Sequence, residues 1–275
     1  MFPIVLAAVS AVAFGTADFS GGKATQRAHP LAVTVVSQLL GLPMLVIGLV
    51  VVPGRMGLAD LAWGIAAGVA GFGGMVLLYR ALAGGAMAVV APVTAVTAAL
   101  IPIAAGLLTA RTPGTLALSG AGVALLAITL VSLGPRGGPV PARLVGVALA
   151  AGALFGLFFA LLAQGSESGG MWPLVAVRAS SIGLGVAFML YSRTSFRLAP
   201  AVLPWAAAAG LLDMAANGLY LAAATRGHLS VVAAITALYP ASTVLLALAV
   251  DRERVRPLQI AGLGLAATAL VLATT

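Results

Sequence analysis

The 275-residue chain has no cysteine, which excludes disulfides, thiolate metal ligation and a thiol nucleophile. Charge is nearly as scarce. Only 7% of residues are Asp, Glu, Lys or Arg, where a soluble domain carries roughly a quarter, so this chain could not cover its surface in water. Acid is the scarcest charge, with six residues scattered along the length. No two carboxylates share one helix face inside an apolar stretch, as paired-carboxylate catalysis would require. The two histidines, His29 and His228, stand far apart at the edges of apolar stretches and form no metal-ligand cluster. Neither a metal nor any other cofactor is expected. Gly71, Gly73 and Gly74 follow no strand; they read as a helix-packing surface, and a nucleotide fold is excluded.

What is present is hydrophobic. Apolar residues make up 62% of the chain and the mean hydropathy is +1.16. A membrane span needs about 20 apolar residues, and ten such stretches occur, at about 3–22, 30–52, 60–81, 87–109, 115–134, 144–164, 171–191, 202–224, 230–250 and 257–275. The 34 glycines suit close helix approach in lipid. The first stretch carries Asp18 and no basic leader, so it reads as a span rather than a cleaved signal peptide. The expected fold is an all-α integral membrane protein of ten transmembrane helices.

Those stretches form a duplication. Residues 61–133 align without a gap on 203–275, with about 21 identities in 73 pairs, among them Trp63/Trp205, Ala66-Ala67-Gly68/Ala208-Ala209-Gly210 and Val89-Val90-Ala91/Val231-Val232-Ala233. Upstream, Phe14-Gly15 matches Phe155-Gly156, and His29-Pro30-Leu31 matches Trp172-Pro173-Leu174. Repeated helical units in a membrane chain point to a carrier built from two related halves around a central site. The expected division is a first repeat at 1–134, a Gly/Pro linker at 135–142 and a second repeat at 143–275. Five spans per half is an odd number, so the halves would enter the membrane inverted.

The formal net charge of +8 is carried mostly by arginines on short loops, which bias topology and meet anionic lipid headgroups; nucleic acid is not an expected partner. With the termini outside, cytoplasmic loops collect Lys23, Arg27, Arg80, Arg136, Arg143, Arg193, Arg197, Arg252, Arg254 and Arg256. Only Arg55, Arg111 and Arg226 lie opposite, so the charge count favours external termini.

The segment Leu238-Tyr239-Pro240-Ala241-Ser242-Thr243-Val244-Leu245-Leu246-Ala247, followed by Glu253-Arg254 and then Gln259-Ile260-Ala261-Gly262, resembles the end of the EamA repeat in the drug/metabolite transporter superfamily. That repeat has a Pro-containing helix, an acidic-basic loop pair and a final span that starts with Gly. The resemblance covers the whole chain as two repeats. It implies a ten-helix inverted-repeat carrier for small organic solutes, often an exporter, in a bacterial plasma (inner) membrane, and it implies cytoplasmic termini, against the charge count. The first half departs from the pattern: Arg111 stands in place of the loop Glu, and Ala98 opposite Pro240.

Ionisable groups within a span cost roughly 2.5–3.5 kcal/mol on insertion scales. Three occur, Asp18, Arg178 and Asp213, and their repeat equivalents Phe159, Val35 and Gly71 are apolar. Asn217 and Tyr220 share a helical face with Asp213. Thr236, Tyr239 and Thr243 form a second polar stripe beside Pro240, and Thr94 and Thr97, with Pro92 and Pro102, form a sparser one. Ser37 and Gln38 add hydrogen-bonding groups to the second span. These stripes are expected to face a central aqueous cavity, with Arg178 holding an anionic group and Asp213 an amine or a proton. The plain alternative is that Arg178 and Asp213 neutralise each other as a structural pair, and that the hydroxyls bond their own helices. Asp18 is a proton-coupling candidate with Asp213, or an interfacial group drawn out by Lys23 and Arg27. Trp63 and Trp205 read as interfacial belt residues.

The function expected is a secondary transporter moving a small organic solute by alternating access, with the halves rocking about a midplane site. A proton gradient is a candidate energy source and a homo-oligomer a candidate assembly. An integral-membrane enzyme acting on a lipid-linked group, and a non-transporting receptor or subunit, are the alternatives.

Overall fold

A computed structural model describes residues 1–83, 87–108 and 141–251, with isolated residues between 119 and 130 and between 257 and 268. The described residues are helical and include no strand. In chain order the helices are α1 (Phe2–Thr25), α2 (Pro30–Leu40), α3 (Leu42–Val51), α4 (Leu58–Ala83) and α5 (Met87–Leu108). After them come α6 (Ala142–Leu162), α7 (Trp172–Tyr191), α8 (Leu203–Ala224), α9 (Leu229–Thr236) and α10 (Tyr239–Asp251), with a 3-10 turn at Glu167–Gly169. Proline stands in the first turn of α1, α2, α3, α7 and α8, where its missing N–H costs nothing.

Six helical segments are long and apolar enough to cross a membrane: Phe2–Thr25, Pro30–Val51, Leu58–Leu78, Ala142–Leu162, Trp172–Tyr191 and Leu203–Ala224. They coincide with the first, second, third, sixth, seventh and eighth stretches read from the sequence. The fourth and ninth stretches appear as α5 and as the pair α9–α10. Most of the expected spans at 115–134 and 257–275, and all but the end of the 135–142 linker, lie outside the described residues.

Two stretches read as single helices are broken. The second parts at Gly41, between α2 and α3; Pro43 has no N–H for the Leu39 carbonyl. The break lies where backbones meet: a Cβ on Gly41 would stand 2.5 Å from the Gly210 carbonyl oxygen, and one on Gly210 would collide with the carbonyl of Ser37. The ninth stretch parts at Ala237–Leu238, ahead of Pro240, which cannot donate to the Thr236 carbonyl. The repeat equivalent of Pro240 is Ala98, and α5 runs unbroken through it.

Packing does not follow the sequence halves. Helix α1 lies chiefly against α8, α9 and α10, and α8 also takes α2 and α3. Helix α4 packs on α6 and α7, and α5 on α6. The described helices thus form two mixed bundles, α1–α3 with α8–α10 and α4–α5 with α6–α7. Between bundles, contact is thinner and runs mainly through α5 against α9 and α2 against α7. Both are pairs of repeat-equivalent helices. One contact marks their relation: Ser181 Oγ donates to Gln38 Oε1 over 2.6 Å, and these two residues are repeat equivalents. A residue touching its own equivalent lies on the pseudo-twofold axis. The packing units of the described helices are therefore the mixed bundles and not the two sequence halves.

Candidate functional site

The in-span charges converge. Arg178 of α7 is 6% exposed; its Nη2 pairs with Asp213 Oδ2 and its Nε points at Met214 Sδ over 3.3 Å. Asp213 sits ten residues into α8, about 15 Å along the helix axis and so near mid-membrane; its side chain keeps 31% of its exposure. The ion pair expected as the plain alternative is therefore formed, and it occupies the guanidinium expected to hold a solute anion.

Asp18 is different. It follows Phe14 and Gly15 by one helical turn and so shares their face of α1. That face looks inward: Phe14 contacts Phe159 edge-on at 5.7 Å and Tyr239 at 6.4 Å, and Thr243 Oγ1 donates to the Gly15 carbonyl over 3.0 Å. Asp18 lies within electrostatic reach of Asp213 and of Tyr239, yet it is exposed. It stands about 10 Å before the end of α1, one helical turn past the layer of rings formed by Phe14, Phe159 and Tyr239.

Below that layer Phe159, Tyr220, Thr236 and Tyr239 line a cavity with Ala98, Ala99 and Pro102, at the junction of α5 with α9. Its volume is about 10 Å³, room for no more than one water. This cavity is much smaller than the central aqueous cavity expected from the polar stripes. Tyr220 is fully buried and its hydroxyl donates to the Phe159 carbonyl over 3.0 Å. Asn217 Nδ2 donates to the Asp213 carbonyl over 2.8 Å. Asn217 Oδ1, Ser230 Oγ and Thr236 Oγ1, by contrast, are buried without a hydrogen-bond partner among the described residues, a costly state for a polar group.

The remaining polar residues of the stripes divide. Thr94 Oγ1 crosses to the Ala148 carbonyl at 3.2 Å, whereas Thr97 Oγ1 bonds its own helix at Val93 over 2.7 Å. Gln38 is held at the axis by Ser181. The structure pairs Arg178 with Asp213, sets Asp18 within electrostatic reach of Asp213 and Tyr239, ties Asn217 to the Asp213 backbone, and lines one small cavity with Tyr220, Thr236 and Tyr239. It gives Gln38, Thr94, Thr97 and Thr243 partners in the packing.

The end of the molecule that carries the chain start is tied shut. Asp60, 6% exposed at the start of α4, accepts from Ser166 N at 2.7 Å and Ser166 Oγ at 2.9 Å. Ser166 Oγ in turn caps the 3-10 turn by accepting from Gly169 N. Arg55 N donates to the Ser168 carbonyl over 2.8 Å and Trp172 Nε1 to the Gly54 carbonyl over 3.3 Å. Gly170, at φ +53°, lies against the Val52 carbonyl, a conformation that suits glycine. Glu167 on this loop pairs with Arg226 Nε at 2.9 Å, joining one bundle to the other. At the repeat-equivalent place on the opposite end Val202 packs in an apolar cluster with Ala24 and Val33. Sequence reasoning singled out none of Asp60, Ser166 or Phe159. An acidic residue opening a helix looks ordinary, and its partner lies 106 residues away.

The profile of the EamA-like transporter family matches residues 1–133 and again 143–275. No curated protein matches the chain. A protein known from a crystal structure superposes with a TM-score of 0.81 over 99% of this chain and 96% of its own, at 14% identity. At that identity the likeness shows the fold.

Proposed function

We propose, since the chain belongs to the EamA-like transporter family, that this multi-pass membrane transporter is a secondary carrier of a small organic metabolite or drug. It has ten spans as two inverted five-helix repeats, and the two mixed bundles rock about the junction of α5 with α9 and α2 with α7. The observation that carries this reading is the division of packing. Contact is extensive within each bundle and thin between repeat-equivalent helices, and Thr236, whose Oγ1 has no hydrogen-bond partner among the described residues, lines the cavity at that thin seam. Such a seam can open on either side without breaking a core. The chain-start end is held by the clasp of residues 54–60 on residues 166–172.

In this reading the solute lies among Asp18, the Arg178–Asp213 pair, Asn217, Tyr220, Thr236 and Tyr239, and efflux across a bacterial inner membrane is the assigned direction. Asp18 and Asp213 are the proton-coupling carboxylates. Lipid surrounds the apolar faces, and a homo-oligomer is compatible with them. The test is flux in proteoliposomes: a panel of radiolabelled amino acids, amines and amphiphilic drugs is assayed for counterflow with and without an imposed pH gradient. Saturable counterflow of one class is expected, with its pH response lost in Asp213→Asn or Asp18→Asn. Absence of counterflow for every compound, from protein shown to be folded, would sink the carrier reading.

A further inference from the structure

The two ends of the molecule differ in charge. The far end, opposite the chain start, gathers the close of α1, the start of α2 and the α7–α8 connection, where Ala24, Val33, Leu198 and Val202 pack together. The start of α6 lies at this end too, since Ala148 packs with Leu144 and with Leu78 near the end of α4. Lys23, Arg27, Arg143, Arg193 and Arg197 stand there, with Arg80 in the last turn of α4. Against these six cations the described residues set one carboxylate, Asp251 at the end of α10, with Asp18 about 10 Å deeper. At the chain-start end Arg55 and Arg226 meet Asp60 and Glu167 in equal number, and Arg226 is paired with Glu167.

Two of these arginines sit where the local backbone does not favour them. Arg193 follows the end of α7 at φ +53°. It closes the helix by donating its N–H to the Leu190 carbonyl, while Thr194 N–H reaches the Met189 carbonyl. Glycine is the usual residue at that left-handed position, where a side chain is strained. Arg143 is the second residue of α6, beside the positive end of the helix dipole, which disfavours a cation. Both are exposed, as are Arg27 and Arg197, and no ion pair among the described residues includes any of the four. Aromatic residues mark the depth. Tyr191 is 87% exposed at the end of α7 and Phe196 is 39% exposed between Arg193 and Arg197; such rings favour the headgroup level of a bilayer.

Exposed guanidiniums without protein partners, held at headgroup depth at some local cost, match phosphate in charge and in geometry. We infer that the far end of the molecule seats on anionic phospholipid headgroups of the cytoplasmic leaflet through Arg27, Arg143, Arg193 and Arg197, with the chain start and its clasp external. The cytoplasmic leaflet carries the negative surface potential that draws such a face; neutral headgroups would leave it uncompensated. This orientation opposes the cytoplasmic termini that the family resemblance implies. It holds whether or not the chain carries a solute.

The chain has no cysteine, so single reporters can be placed at either end. Met56→Cys, at a residue 61% exposed beside the clasp, and Ser195→Cys, on the exposed α7–α8 connection, are each expressed in a bacterial host. Spheroplasts are then treated with an impermeant maleimide. Met56→Cys is expected to label in intact spheroplasts, and Ser195→Cys only after the membrane is permeabilised. Labelling of Ser195→Cys in intact spheroplasts, or of Met56→Cys only after permeabilisation, would overturn the inference. The lipid is tested on purified protein in nanodiscs. Phosphatidylglycerol is expected to raise the melting temperature by about 5 °C over phosphatidylcholine, and molar salt to remove the rise. Arg193→Gln with Arg197→Gln is expected to lose about half of it. Should that variant fail to fold, Arg27→Gln with Arg143→Gln supplies the same readout. Equal melting in the two lipids, a rise kept in full by the folded variant, or the same rise from inorganic phosphate in phosphatidylcholine would equally overturn it.

Discussion

At the scale of single residues, charge in an apolar run was the signal that worked. Asp18, Arg178 and Asp213 stood out because each breaks a hydrophobic stretch where its repeat equivalent does not, and the structure brings all three together. Their division of labour was not legible. Only coordinates show that Arg178 is consumed by Asp213, which leaves Asp18 as the open carboxylate. The pair can be tested apart from the site. Arg178→Ala strands a half-buried carboxylate and is expected to cost about 3 kcal/mol, near the low end for a broken buried pair because Asp213 is partly exposed. Arg178→Met with Asp213→Leu replaces both by apolar groups and is expected to recover most of that loss in a thermal or denaturant melt. If the double variant also carries solute at the parent rate, the pair is purely structural; if it is stable and inactive, the pair belongs to the site. Asp60 shows what the sequence withholds. Its role comes from Ser166, and no pattern along one chain announces a partner so distant.

Among the helices, composition located the spans well and their interruptions less well. Apolar length alone predicts one helix over 30–52 and another over 230–250, and each is broken in the structure. Proline is the visible cause in both, but the first break also depends on the α8 backbone reaching Gly41, a tertiary fact. The contrast between halves is instructive: α5 with Ala98 is continuous, while α9 and α10 part before Pro240. Two repeats of like sequence thus hold different shapes. Pro240→Ala restores an N–H for the Thr236 carbonyl and is expected to join α9 to α10. The check is hydrogen exchange at residues 236–241, which should slow, together with transport, which should fall. Slowed exchange with full transport would show that the break serves packing rather than movement.

For the whole molecule, duplication foretold two related halves, but not that each half would pack mainly on the other. Repeat-equivalent Gln38 and Ser181 meet at the axis, and the two bundles mix helices from both repeats. A direct contact between these bundles at the chain-start end is Glu167 with Arg226, exposed by 63% and 33% at their side chains. An exposed pair contributes only about 0.2–1 kcal/mol. That weakness suits a contact that the proposed rocking would break, because 1 kcal/mol shifts an open–closed equilibrium by only about fivefold. Asp60 matters here because it fixes Ser166, and so the turn on which Glu167 stands. Glu167→Arg is therefore expected to open this end, read as faster labelling of a Thr236→Cys reporter by an impermeant maleimide; the chain has no native cysteine to interfere. Adding Arg226→Glu reverses the pair and should restore the slow rate. Molar salt should speed labelling in the parent, where it screens an attraction, and slow it in Glu167→Arg, where it screens a repulsion. A rate indifferent to both substitution and salt would mean that the seal at this end is the backbone clasp of 52–57 on 166–170, with the ion pair a passenger on it.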